Sequence, residues 1–244
     1  MKPVWAIFKR EFLAYFATPL AYVFIVIFLL AMGAFTFYVG RFYDNGLADL
    51  SVFFGYHPWL YLFLVPAVGM RLWAEERRVG TVELLLTLPV PIWASVVGKF
   101  LAAWAFIGVA LVLTFPIWIT VNYLGQPDNG AIFASYVGSF LMAGGYLAIC
   151  AAISASTSNQ VIAFVVSVVI CFLFTIAGAP LVIDVFQAWA PVVLVNTISS
   201  FSFLTHFQAI SSGVIDLRDL VFFGSLIALF LTVNVVLIDL KKTN

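Results

Sequence analysis

Residues 53–90 read FFGYHPWLYLFLVPAVGM, then RLWAEERRVG, then TVELLLTLPV. No Asp, Glu, Lys or Arg occurs in 53–70, whereas 71–78 alone holds Arg71, Glu75, Glu76, Arg77 and Arg78. A helix crossing the hydrocarbon core of a bilayer needs about 20 apolar residues. One charge at its centre costs about 2.5–3.5 kcal/mol on insertion scales. A charge-free apolar run that stops at a dense charge cluster therefore reads as a membrane crossing that has reached its boundary.

Five more runs have the same character: 20–39, 100–123, 132–153, 161–183 and 220–238. Composition agrees with them. Of the 244 residues 64% are hydrophobic and 9% charged, against about 25% charged in a soluble domain. So few charges could not cover a soluble surface, and a bilayer removes that need. The expected fold is an all-α membrane protein with six transmembrane helices, forming one membrane domain over 1–244 without internal repeats or low-complexity tracts. The apolar run at 12–40 is too long for the core of a signal peptide, so it reads as an uncleaved first span. Cys150 and Cys171 lie inside apolar runs with no C-x-x-C spacing. They read as small packing residues, with no metal site implied.

Lys and Arg set the orientation, because they concentrate on the cytoplasmic side. With the N-terminus inside, Lys2, Lys9, Arg10, Arg71, Arg77, Arg78, Lys99, Lys241 and Lys242 are cytoplasmic, and only Arg41 and Arg218 are outside. Both termini are then cytoplasmic. The segment 184–219 is apolar in places but broken by Pro191, Asn196, Ser199, Ser200, His206, Gln208 and Gly213. A seventh span there would carry Lys241 and Lys242 outside, so it reads as re-entrant or interfacial pieces on the outer face.

Residues 2–18 place Val4, Trp5, Phe8, Phe12, Tyr15 and Phe16 on one side of a helical wheel and Lys2, Lys9 and Arg10 on the other. That pattern suits an amphipathic helix lying in the inner interface, with Pro19 separating it from the first span. The alternative is one long, bent first helix. In the cytoplasmic loop 71–99, Gly80 can redirect the chain, Thr81 can cap a new helix and Glu83 suits its first turn. Pro89 and Pro91 end that helix, which also contains Val82, Leu84, Leu85 and Leu86. It is too apolar for a solvated loop and too short to span. It reads either as a helix that docks in a groove of a soluble partner or as a segment tucked back into the interface.

The run Met70–Val90 resembles the signature loop of ABC type 2 transporter permeases, and Val97-Gly98-Lys99-Phe100-Leu101 fits the same pattern. So do 157–164 in the second cytoplasmic loop, with Thr157, Asn159 and Gln160, and 206–219 before the last span, with His206, Gln208, Asp216, Arg218 and Asp219. Within that family the chain is most similar to permeases named for gliding motility and for multicopper-enzyme maturation. In that subgroup the residue before Gly213 is often basic, and here it is Ser212. The resemblance implies the type V exporter fold: six spans, an N-terminal interfacial helix, a coupling helix at 81–88, and short outer-face helices before the last span. It also implies a second permease copy or a related permease, two ATPase subunits in the cytoplasm, and location in the cell (inner) membrane. An auxiliary protein with a large outer domain is a further partner to look for.

The energy source follows from what the spans lack. Gradient-driven carriers usually carry Asp, Glu or His within the membrane as coupling sites. Here no carboxylate falls in a span, and His57 reads as an interfacial residue near the outer end of the second. Gly98-Lys99 is not a phosphate-binding loop, because no glycine precedes it at the required distance and Phe100 stands where Ser or Thr would hold magnesium. There is no H-E-x-x-H and no G-x-S-x-G. His206 lies among Ser199, Ser200, Ser202, Ser211 and Ser212 with no evident partner to orient it, and reads as a locally bonded loop histidine. The chain is thus expected to be no enzyme and to bind no cofactor, with ATP and Mg²⁺ on the partner ATPase. The leading reading is the permease of an ATP-binding-cassette exporter. The alternative is a non-transporting anchor or mechanotransmitting subunit of such a complex.

Overall fold

The computed structural model describes residues 2–44, 46, 48–80, 90–187 and 191–240. Among them every regular element is helical. In chain order these are α1 (Lys2–Phe16), α2 (Pro19–Gly33, running on as a π-helical Ala34–Val39), α3 (Ser51–Gly55), α4 (His57–Gly69) and α5 (Arg71–Val79). They are followed by α6 (Ile92–Val112), α7 (Phe115–Leu124), α8 (Asn129–Ser156) and α9 (Gln160–Ile176). The chain closes with α10 (Pro180–Gln187), α11 (Val192–Ser199), α12 (Phe203–Ser211) and α13 (Leu217–Leu240).

Local chemistry sets the ends. The Asp128 carboxylate accepts the Gly130 and Ala131 amides at 2.9 and 3.1 Å and starts α8. Asn159 does the same for α9 through the Val161 and Ile162 amides. Gly80 ends α5 in the left-handed region at φ 78°, the change of direction read from the sequence. The helix proposed at 81–88 lies outside the described residues.

Four stretches are long and apolar enough to cross a membrane: Ala21–Val39, Ile92–Leu124, Asn129–Ser156 and Leu217–Leu240. The other two expected crossings are shorter as helices. The run at 53–70 divides at Tyr56, leaving the 13-residue α4. The run at 161–183 breaks after Ile176, leaving the 17-residue α9. Proline supplies the reason in both cases, since Pro58 and Pro180 each sit at a helix start, where a missing N–H costs nothing. The 184–219 stretch forms short helices, α11 and α12, joined by bends.

The expected separation of the N-terminal helix holds. Thr18 is extended at φ −109°, ψ 140°, and parts α1 from α2. Its apolar side meets α6 only in part. Trp5 is 64% exposed and Ile7 is buried, because the face that meets α6 follows Val4, Ile7, Phe8, Glu11, Phe12 and Tyr15 at helical spacing. A Cβ on Gly98 would come within 2.8 Å of Ile7, and Tyr15 stacks on Phe106 at 4.9 Å. Thus α1 runs in the same direction as the first half of α6.

The molecule is built around α8. This helix packs against α4, α5, α6, α9, α12 and α13, and 78% of its membrane-length window is buried, against 22% for Ala21–Val39 and for α13. Small residues permit the crowding. A Cβ on Gly144 would stand 2.7 Å from the Trp104 indole, so the two helices could not approach as they do with alanine there. Polar side chains bridge the gaps: Ser139 donates to the Tyr61 hydroxyl at 3.0 Å, and the Tyr146 and Thr175 hydroxyls meet at 2.6 Å. Ser154 does more. Its hydroxyl accepts the Trp73 and Ala74 amides at 3.1 and 3.0 Å and donates to the Met70 carbonyl at 2.8 Å. These are the backbone groups that the break between α4 and α5 would leave orphaned. Ser154→Ala should cost about 2 kcal/mol, the desolvation of unsatisfied buried groups. A lowered melting temperature in detergent, with helix content unchanged, is the expected outcome.

Candidate functional site

Three helices meet at one ammonium. Lys99, in the second turn of α6, is only 3% exposed. Its Nζ lies 2.6 Å from the Glu76 carboxylate on α5 and 3.3 Å from the Glu11 carboxylate on α1. The Trp73 ring stands 5.3 Å from the same nitrogen, close enough for its π face to attract the cation. A buried cation is tolerated only with partners of this kind. Glu11 also takes the Arg10 guanidinium at 2.6 Å. Burial pushes the Glu11 carboxyl up, but the Lys99 and Arg10 charges outweigh it and hold the group below the ordinary carboxylate range.

Beside this trio, Arg71 grips Glu75 one turn along α5 with two hydrogen bonds of 2.6 and 3.0 Å. That fork holds the Glu75 carboxyl below its ordinary value, chiefly through the hydrogen bond. The opposite face of α5 buries Leu72, Trp73 and Ala74, and Ser154 fixes its start. The helix that enters the 71–99 loop is therefore tied to α1, α6 and α8 together.

The whole chain can be set against known families with this geometry in view. The family model for the ABC-2 family transporter protein matches residues 5–239. The chain belongs to the ABC-2 transporter family. No match was found among curated proteins. Membership makes the chain a multi-pass membrane component of a transporter, not itself catalytic, and implies an ABC ATPase subunit as its associate.

In this ABC-2 permease component the expected charge cluster is only partly assembled. Arg71, Glu75 and Glu76 belong to the junction. Arg77 and Arg78 occupy the last turn of α5, where positive charge suits the carbonyl end of a helix. Glu11, Trp73 and Lys99 complete the junction; the sequence marked Trp73 and Lys99 only as parts of the family pattern and did not mark Glu11. The signals existed: Glu11 is the one acidic residue in 2–18, and Lys99 is the one charge in Ile92–Val112.

In the 157–160 turn Asn159 is a helix cap, its own amide donates to the Thr157 hydroxyl at 3.1 Å, and Gln160 opens α9. The α9 helix touches α5, so this turn lies near the junction.

The 206–219 residues form a separate cluster. His206 is buried, with Nδ1 2.6 Å from the Asp219 carboxylate and Nε2 2.9 Å from the Ser200 carbonyl, and its ring stacks on Phe222 at 3.9 Å. Asp219 is thus the orienting partner that the sequence did not reveal. Nucleophilic chemistry is not assembled, because Nε2 faces a carbonyl and not a serine hydroxyl. Asp216 accepts the Arg218 amide at 3.1 Å at the entry to α13. Gln208, Asp216 and Arg218 are exposed. His57, expected at the interface, is instead fully buried. Its ring stands among Phe28, Phe53, Phe54 and Tyr61, and Nδ1 donates to the Phe53 carbonyl at 3.2 Å. Aromatic neighbours on three helices enclose it.

Removing the ammonium should take from Glu11 and Glu76 the cation they share. Lys99→Ala is expected to cost about 3 kcal/mol. In a double-mutant cycle with Glu76→Gln the two losses should fall short of additivity by more than about 0.5 kcal/mol. Thermal unfolding of the four proteins in one detergent measures both.

Proposed function

We propose that the chain is the permease of an ATP-driven exporter, working with a second copy or a related permease and with ATPase subunits that dock on 81–88. It fits best with the gliding-motility and multicopper-enzyme-maturation subgroup. The observation that carries the reading is the buried Lys99 junction at the root of the 71–99 loop. A segment that receives force from a motor must be anchored to what it moves. Here the helix leading into that segment is bonded to α1 and α6 by charge and to α8 by Ser154. Closure of the ATPase pair would pull on 81–88 and pass through α5 as a rigid arm, tilting the spans at the permease–permease interface.

The outward faces suit a bilayer and a second permease. Val161, Val165, Val169 and Phe172 on α9 and Val221, Leu229 and Val233 on α13 are exposed and apolar. With nine of the eleven Lys and Arg on the loop side and the termini, the junction lies at the cytoplasmic boundary and the His206–Asp219 cluster at the outer one.

Two experiments test this. Leu85→Asp places a charge in the apolar docking segment. Co-purification with the cognate ATPase should fall at least about tenfold, the effect of a lost hot-spot contact, while the permease still accumulates in the membrane. Undiminished binding would remove 81–88 as the dock. For topology, cysteines placed at Asn129 and at Ser212 should react with an impermeant thiol reagent added to intact cells. A cysteine at Ser156 should react only after lysis, and external labelling there would overturn the six-span arrangement.

A further inference from the structure

A trench of about 380 Å³ opens between α1 and α2 on one side and α4 and α5 on the other, with α6 at its back. Its two ends differ in chemistry. One end is walled by Glu11, Arg71, Glu75, Glu76 and Lys99. The other is walled by Phe24, Ile27, Leu64, Val68 and Phe106. On α4 the apolar wall runs from Val68 back to Leu64, about 6 Å along the helix axis. The lip on α2 is open: Val23 and Ile27 are each about half exposed, on a helix apolar and long enough to cross a membrane.

A ligand for this trench must pair an apolar shaft with a head that tolerates both signs of charge. The wall supplies three carboxylates and two cations, a net charge of −1. An anionic head is therefore opposed by the balance, whereas a head of both signs can add to the ion pairs already formed there. The Arg71 guanidinium has five N–H donors, of which Glu75 takes two. It can still present N–H groups to a phosphate. Each carboxylate oxygen can accept more than one hydrogen bond, so Glu75 and Glu11 can receive an ammonium carrying N–H groups. A quaternary ammonium has none to give.

We infer that this trench is a binding site for one zwitterionic phospholipid bearing a primary amine, with its phosphate at Arg71, its ammonium against Glu75 and Glu11, and the upper part of its acyl chains along Phe24, Leu64 and Phe106. Such a lipid would enter sideways from the leaflet past Val23 and Ile27. Seated there, it would fill the gap between the N-terminal helices and α5 without disturbing the Lys99 contacts. The site is independent of transport and of the ATPase.

The test uses the delipidated full chain in detergent. Native mass spectrometry would follow titration with dioleoyl phosphatidylethanolamine, phosphatidylcholine or phosphatidylglycerol. The first should bind about tenfold more tightly than the other two, the worth of one charge-assisted hydrogen bond. Val23→Trp, which changes an exposed lip residue, should abolish that preference by closing the mouth. Glu75→Gln should reduce phosphatidylethanolamine towards the level of phosphatidylcholine, because only the primary ammonium donates to that carboxylate. The melting temperature of each variant without lipid separates loss of binding from loss of fold. Equal affinities for the three lipids, tightest binding of phosphatidylglycerol, or a preference untouched in both folded variants would overturn the site.

Discussion

One ammonium in a place where water scarcely reaches organises the loop end of this protein. The charge on Lys99 is tolerated only because Glu76, Glu11 and the Trp73 ring surround it, and those partners come from two other helices, α5 and α1. The dependence runs both ways. Without Lys99, the Glu11 and Glu76 carboxylates would lose the cation they share. Without α1, half of the countercharge would vanish. The N-terminal helix is therefore bonded into the junction and is not merely laid beside it. It also explains why a chain so poor in charge spends several of its charges within a few ångströms of one another.

The Ser154 hydroxyl complements this arrangement with neutral chemistry. A break between α4 and α5 exposes amides and a carbonyl at a depth where water is scarce, and one side chain from α8 meets three of them. The outcome is a bend whose hydrogen bonds are complete. Such a bend can hold a fixed angle, as an arm between a motor and a membrane domain must. Gly80, at the far end of the same helix, has the opposite role, since its left-handed backbone ends the helix.

Much of the architecture was legible because the bilayer enforces it. Charge-free runs, boundary arginines and proline-marked helix starts are one-dimensional signals, and they located the long helices. The site was less so. The 71–78 cluster was visible as a local density of charge, but membership in the junction depends on which residues of α1 and α6 lie opposite it. Wheel geometry grouped Trp5 with the apolar side of an interfacial helix, but it could not assign Glu11 to the face that meets α6, because the Lys99 countercharge lies on another helix. His57 and the His206–Asp219 pair escaped for the same reason: long-range packing, set by α8, decides whether a histidine is boxed in rings or faces a carboxylate thirteen residues away. The lengths of α4 and α9 were overestimated because hydropathy counts residues across a proline that the helix itself does not cross.

The crowding around α8 bears on how the chain enters a membrane. This helix is richest in glycine, alanine and serine, with Ser135, Ser139, Ser154 and Tyr146 buried along it, so lipid solvates it less willingly than it does α2 or α13. During synthesis α8 follows α4, α5 and α6, which form one side of its socket, and precedes α9, α12 and α13, which form the other. It thus enters the bilayer beside a half-built wall and stays partly unsheltered until the final helix closes over it. The C-terminal helix, though remote in sequence from the 71–99 loop, is the lid of the assembly, and truncating it would leave the most delicate helix of the fold facing lipid.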